Sequence, residues 1–202
     1  MITGKVIDNS AIPSGLVGYW NGDGNALGTS ESSIDGGWVG TSSYDSGKFG
    51  QAFKFDGSTS YVNFGRQTAL ETSAEGYTLS LWVKADLMEN NRLLFSYDRD
   101  NVLGNDNSNY DIFSRITNGA LSYHAITGCE YNTNIVDLAN GNWHHVVFIS
   151  ESSSSGTRAR VYEDGVQKLD SNVCTRKWNS VMSDYILRIG FNSNANFWKG
   201  AV

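Results

Sequence analysis

Tyr77-Thr78-Leu79-Ser80-Leu81-Trp82-Val83-Lys84-Ala85 alternates apolar and polar side chains. Successive side chains of an extended chain point to opposite faces, so Leu79, Leu81 and Val83 share one side, while Trp82 fills the other face or a gap between sheets. Bounded apolar runs of the same kind recur at Gln51–Phe55, Tyr61–Phe64, Arg92–Tyr97, Tyr110–Ile116, Ala120–Ile126, Trp143–Ser150, Ala159–Glu163, Val166–Asp170 and Tyr185–Gly190. Helical periodicity is nearly absent. Asp56-Gly57, Asn118-Gly119 and Asp164-Gly165 separate the runs, and the last reads as a two-residue type I′ hairpin turn. Glu151–Gly156 is Ser-rich and reads as a mobile loop between two strands. So many short strands in one chain predict an all-β fold, a two-sheet antiparallel β-sandwich of the jelly-roll kind.

The 202 residues are expected to form one domain over residues 15–202, behind an N-terminal extension, 1–14, that lacks the apolar stretch of a secretory signal. Fifteen basic against twenty-one acidic residues give a net charge of −6. That balance speaks against nucleic acid or an anionic membrane as the main partner, since both require clustered Lys and Arg. No stretch approaches the ~18 apolar residues of a membrane span, so no membrane insertion is expected. Polarity comes from Ser, Asn, Thr and Gly, which suits turns and an extracellular surface. Cys129 and Cys174 are too few for a four-ligand metal site and belong to no CxxC. They read as a disulfide, the alternative being two buried thiols.

Several segments carry a resemblance when taken in order. They are Gly15-Leu16-Val17-Gly18-Tyr19-Trp20, Gly47-Lys48-Phe49-Gly50-Gln51-Ala52-Phe53-Lys54-Phe55-Asp56-Gly57, Thr78 to Lys84, Gly141-Asn142-Trp143-His144-His145-Val146, Val161-Tyr162-Glu163-Asp164-Gly165, Leu187-Arg188-Ile189-Gly190 and Lys199-Gly200. Over about residues 15–202 the chain closely resembles the laminin-G-like jelly-roll domains of the concanavalin A-like lectin/glucanase superfamily, including its pentraxin-related branch. In such domains a closing strand follows the Lys-Gly step. Here the sequence stops at Val202, which implies a fragment of a longer protein or a strand supplied from elsewhere. Trp20, Trp82, Trp143 and Phe55 are expected in the core.

Some members of that superfamily are glucanases, which place paired carboxylates on one strand face through a Glu-x-Asp-x-x-Glu string. This chain has no such string and no nucleophile elbow, and His124, His144 and His145 read as strand histidines. No enzyme is therefore expected. The pentraxin resemblance implies Ca²⁺ in the loop after Leu94-Phe95-Ser96-Tyr97, with Asp100 and Asn101 as ligands and Asp98, Asp106 and Asp111 as additions. The competing reading is a solvated loop full of turn formers. Trp38, Tyr110, Tyr131 and Trp178 lie outside the scaffold motifs and are candidates for stacking against sugar rings.

The resulting expectation is a non-catalytic carbohydrate-binding or adhesion module on a cell or virion surface, with a glycan or surface polysaccharide as partner. The alternatives are a structural component that uses the sandwich to contact other protein subunits, and a degenerate glycoside hydrolase.

Overall fold

The structure, a computed structural model, describes residues 15–29, 34–68, 76–99, 112–126, 128–175, 185–191 and 196–202. They contain fourteen strands: β1 (Gly37–Val39), β2 (Tyr44–Ser46), β3 (Gln51–Asp56), β4 (Tyr61–Arg66), β5 (Gly76–Ala85), β6 (Leu93–Arg99), β7 (Ile112–Thr117), β8 (Ala120–Ile126), β9 (Cys129–Ile135), β10 (His144–Ser153), β11 (Gly156–Glu163), β12 (Val166–Asp170), β13 (Tyr185–Ile189) and β14 (Lys199–Ala201). The first sheet has the order β1-β4-β13-β6-β7-β8-β9 and the second β12-β11-β10-β5-β14-β3-β2. The strand pairs are antiparallel, so the expected sandwich is what forms. No helix among the described residues is long and apolar enough to cross a membrane.

The inner faces meet through large side chains. Phe95 of β6 packs edge-on against Phe148 of β10 with centroids 5.1 Å apart, and Tyr123 of β8 reaches Phe148 at 5.0 Å. Each such aromatic contributes roughly 3–5 kcal/mol, as judged by truncation. The Tyr77 and Tyr123 hydroxyls hydrogen-bond to each other across the two sheets, and burial pushes both phenols well above their usual range. Among the described residues, the fully buried indole belongs to Trp198.

The chain's turns follow its residue types. Asn118 and Gly119, and Asp164 and Gly165, all have positive φ (52°, 75°, 50° and 81°), as type I′ hairpins between β7 and β8 and between β11 and β12 require. Glu151–Gly156 is not the loop its serines suggest: β10 continues to Ser153, β11 starts at Gly156, and those two residues pair. Cross-strand pairing satisfies this polar backbone, which composition alone does not reveal. β9, unmarked in the apolar pattern, forms because Ile135, Thr133 and Cys129 are buried while Glu130, Asn132 and Asn134 stay exposed.

The tryptophans require a correction. Phe55 is fully buried, and Trp20 packs on Phe64 at 4.3 Å and donates its indole N–H to the Ile34 carbonyl at 2.7 Å. Trp82 and Trp143, expected inside, are half-buried on the outward side of the second sheet. The alternation that sends Val83 and Ala85 inward turns Trp82 and Lys84 out.

Asp56 closes the turn after β3 by accepting the Ser58 and Thr59 N–H groups at 2.8 Å and the Ser60 N–H at 3.2 Å. Burial alone would raise its pKa, but these bonds and the Thr59 hydroxyl outweigh burial and hold the carboxyl well below its usual range. A folded pKa below the unfolded ~3.9 stabilises the fold above that pH and is lost as pH falls beneath it. Denaturant unfolding at a series of pH values is expected to show this acid loss, shallower in Asp56→Asn. An unchanged slope in the variant would remove Asp56 as its source.

Candidate functional site

The register of the first sheet sets one row of side chains across six strands. Asn63 of β4 pairs with Arg188 of β13, Arg188 with Ser96 of β6, Ser96 with Phe113 of β7, Phe113 with His124 of β8, and His124 with Glu130 of β9. Directly opposed residues share a face. Their in-strand neighbours Val62, Phe95 and Tyr123 lie in the core, so this row points outward.

The row's chemistry is dense. Arg115, on the same face as Phe113, forks onto Glu130 with Nη2 3.0 Å from both carboxylate oxygens and Nε at 3.1 Å. Ser122 donates to the same carboxylate at 3.0 Å. The Arg115 guanidinium lies 5.3 Å from the centroid of Phe113, whose other neighbour is the His124 ring at 4.4 Å. His124 Nε2 accepts the Gly128 N–H at 3.1 Å, so the neutral ring carries its proton on Nδ1. That Nδ1 is buried and has no acceptor among the described residues. Burial, reinforced by Arg115 and opposed by Glu130, lowers the His124 pKa to about 4, so the imidazole is neutral at physiological pH. A buried N–H without an acceptor costs roughly 1–3 kcal/mol.

At the other end, the Arg188 guanidinium contacts the Asp98 carboxylate, and both residues are nearly fully buried. Of the residues assigned to calcium, Asp98 is thus held by a guanidinium, a neighbour that repels a dication. Asp100, Asn101, Asp106 and Asp111 lie outside the described residues, as do Tyr110 and Trp178. Trp38 stands among Tyr44, Phe53 and Phe55 with centroids 5.5–5.8 Å away, its indole N–H donated to the Tyr44 hydroxyl at 2.8 Å. Tyr131 opposes Tyr123 and packs half-buried against the core. Neither ring belongs to the row. Phe113, Arg115, Ser122 and His124 were not singled out as ligand residues in the sequence. The available signal was Arg188, a charge inside an otherwise apolar strand.

His144, Glu163 and Asp164 also come together, with Nδ1 2.9 Å from Asp164 and 3.4 Å from Glu163. Asp164 accepts the His145 N–H at 2.8 Å, which, with His144, lowers its pKa and fastens the hairpin to β10. Glu163 is shared with Lys168 at 3.0 Å. Cys129 and Cys174 form the expected disulfide.

The family profile of the concanavalin A-like lectin/glucanases superfamily, of the laminin G type, matches residues 56–202. The chain belongs to this superfamily. Comparison with curated proteins returns no match. Among solved structures, the superfamily chain is similar to an endo-beta-1,4-glucuronan lyase from the fungus Trichoderma reesei, at 16% identity and TM-score 0.53 over 81% of this chain and 80% of that one. It is also similar to domains LG4-5 of the mouse laminin alpha1 chain, at 17% identity and TM-score 0.44 over 74% of this chain but 38% of that one. A carbohydrate esterase from the Shiga toxin-encoding bacteriophage phi24B aligns at 13% identity and TM-score 0.46, over 82% and 87% of the two chains. The lyase overturns the expectation that the chain is no enzyme. Its sandwich hosts catalysis, so lacking the glucanase carboxylate string excludes one catalytic design rather than catalysis.

Proposed function

We propose that this chain binds a glycan across the outward face of its first sheet. The observation that carries the reading is the accessible end of the row, where the Phe113 ring lies between the His124 imidazole and the Arg115–Glu130 fork. The Phe113 ring offers a surface for the C–H face of a sugar, and Arg115 and Glu130 offer hydrogen bonds of both senses. The superfamily membership and the lyase likeness support a polysaccharide as the kind of ligand. The disulfide and the fold suggest an extracellular protein, and we place it at a cell or virion surface.

The test is a glycan array read with and without chelator, followed by titration of the best ligand and assay of the bound glycan for chain cleavage. Phe113→Ala and Arg115→Ala are expected to weaken binding at least tenfold, about 1.4 kcal/mol, with melting temperature retained. Binding should stay level between about pH 5 and 8, because a histidine with this lowered pKa does not change charge there. No glycan bound, or full affinity in both variants, would sink the reading. In the chelator arm, a calcium requirement implicates the acidic residues that follow β6 in sequence, Asp100 to Asp111, and indifference removes calcium from the proposal.

A further inference from the structure

The outward side of the second sheet presents a different surface. Because Trp82 of β5 pairs with His145 of β10, Lys84 and Trp143 become the next neighbours on the same face. Lys48 Nζ lies 4.9 Å from the centroid of Trp82 and Lys84 Nζ 5.4 Å from that of Trp143. Phe49, 72% exposed, meets Trp82 edge-on at 5.9 Å, and the His145 ring lies 5.1 Å from Trp82.

Two features set this cluster apart from ordinary packing. Lys54, Arg158, Arg160 and Lys168 of the same sheet are each paired with a carboxylate, whereas among the described residues Lys48 and Lys84 have none. Trp20 and Trp38 donate their indole N–H groups to protein oxygens, whereas those of Trp82 and Trp143 have no acceptor among the described residues. A chain of net charge −6 thus concentrates uncompensated ammonium groups over two tryptophans on one face. With charge screened beyond about 8 Å at physiological salt, an approaching anion is governed by these lysines rather than by the net charge.

We propose that this face is a second binding surface, separate from the row on the first sheet, and that it takes an acidic polysaccharide. The sugar rings lie on Phe49 and the indoles, the carboxylates or sulfates face Lys48 and Lys84, and the indole N–H groups donate to sugar oxygens. A neutral glycan would use the rings and leave both ammoniums unanswered.

The experiment uses the whole chain in a Phe113→Ala background, so that the first face does not contribute. Quenching of tryptophan fluorescence is titrated with polygalacturonate and with its fully methyl-esterified form, and with dextran sulfate against dextran, which separates carboxylate from sulfate as the anion. Either acidic polymer is expected to bind, its neutral counterpart to bind much less, and Lys48→Glu/Lys84→Glu to weaken the acidic ligand at least about tenfold. Because Lys48 is exposed and Lys84 half-buried, the melting temperature of that variant should stay close to its parent's. The proposal is overturned if neither acidic polymer binds, if the neutral forms bind equally, or if charge reversal leaves affinity unchanged. Since glycan recognition on the first sheet is read in the original protein through Arg115 and Phe113, each surface can fail without the other.

Discussion

Arg188→Leu should lower the stability of the folded chain by about 3–5 kcal/mol, the range seen when one member of a buried ion pair is removed. Arg188 and Asp98 are 4% and 7% exposed, and the guanidinium contacts the carboxylate directly. In the variant, Asp98 stays on β6 but loses the buried guanidinium that offsets part of its desolvation. Arg188 also lies in the middle of the first sheet, between β4 and β6, so the variant cannot relax as an edge strand could. For a chain of this size the loss corresponds to roughly 6–20 °C in Tm. Thermal and urea unfolding of Arg188→Leu, Asp98→Asn and the double variant would measure it. The double variant should recover a substantial part of the single loss, because an amide needs no counter-charge. A Tm within a degree or two of the original would show that the pair is surface-like and that its burial carries no energetic weight.

The second large effect concerns the bond between Cys129 and Cys174. Cys129 opens β9, the edge of the first sheet, while Cys174 exchanges two backbone hydrogen bonds, each 2.8 Å, with Thr157 of β11 in the second sheet. The bridge therefore joins the two layers, across a sequence separation of 45 residues. Chain entropy puts its contribution at up to about 4 kcal/mol, and measured bridges commonly give 2–4. Reduction, or Cys129→Ala/Cys174→Ala, should lower Tm by several degrees, checked by scanning calorimetry. Glu130 follows Cys129 directly and takes the Arg115 fork, so the same change should also weaken glycan binding at the first face. Alkylation of the unreduced, denatured chain should label no thiol. Labelling of Cys129 would refute the bridge, and an unchanged Tm on reduction would refute its role as a tie between layers.

Much of the scaffold could be read from residue alternation because period-two patterning is local. Tyr77 to Ala85, Ala120 to Ile126 and Val166 to Asp170 became strands within a residue of their expected limits. Asn118-Gly119 and Asp164-Gly165 became I′ turns because few residues tolerate the positive φ those turns demand. Polar segments failed where partners outside the window decide the outcome. Ser152 and Ser153 extend β10 because β11 lies opposite them, and β9 exists because β8 offers an edge to it.

The binding residues were the least legible part. Trp82 and Trp143 looked like core because indoles usually are, yet the strand that buries Val83 must turn Trp82 outward. Trp38 looked like a ligand residue because it lies outside the shared motifs, yet Phe53, Phe55 and Tyr44 surround it.

The order of side chains along this protein, by itself, determined that it is a two-sheet sandwich, where its tightest turns lie and which superfamily it belongs to. Each of these depends on neighbours a few residues apart or on motif order. Only the tertiary structure decided that Arg188, Ser96, Phe113, His124 and Glu130 form one row. It also decided that Asp98 faces a guanidinium and that two lysine–tryptophan pairs share the opposite surface. Those facts depend on strand register across the sheets, where a slip of one residue would turn every one of those side chains to the other face.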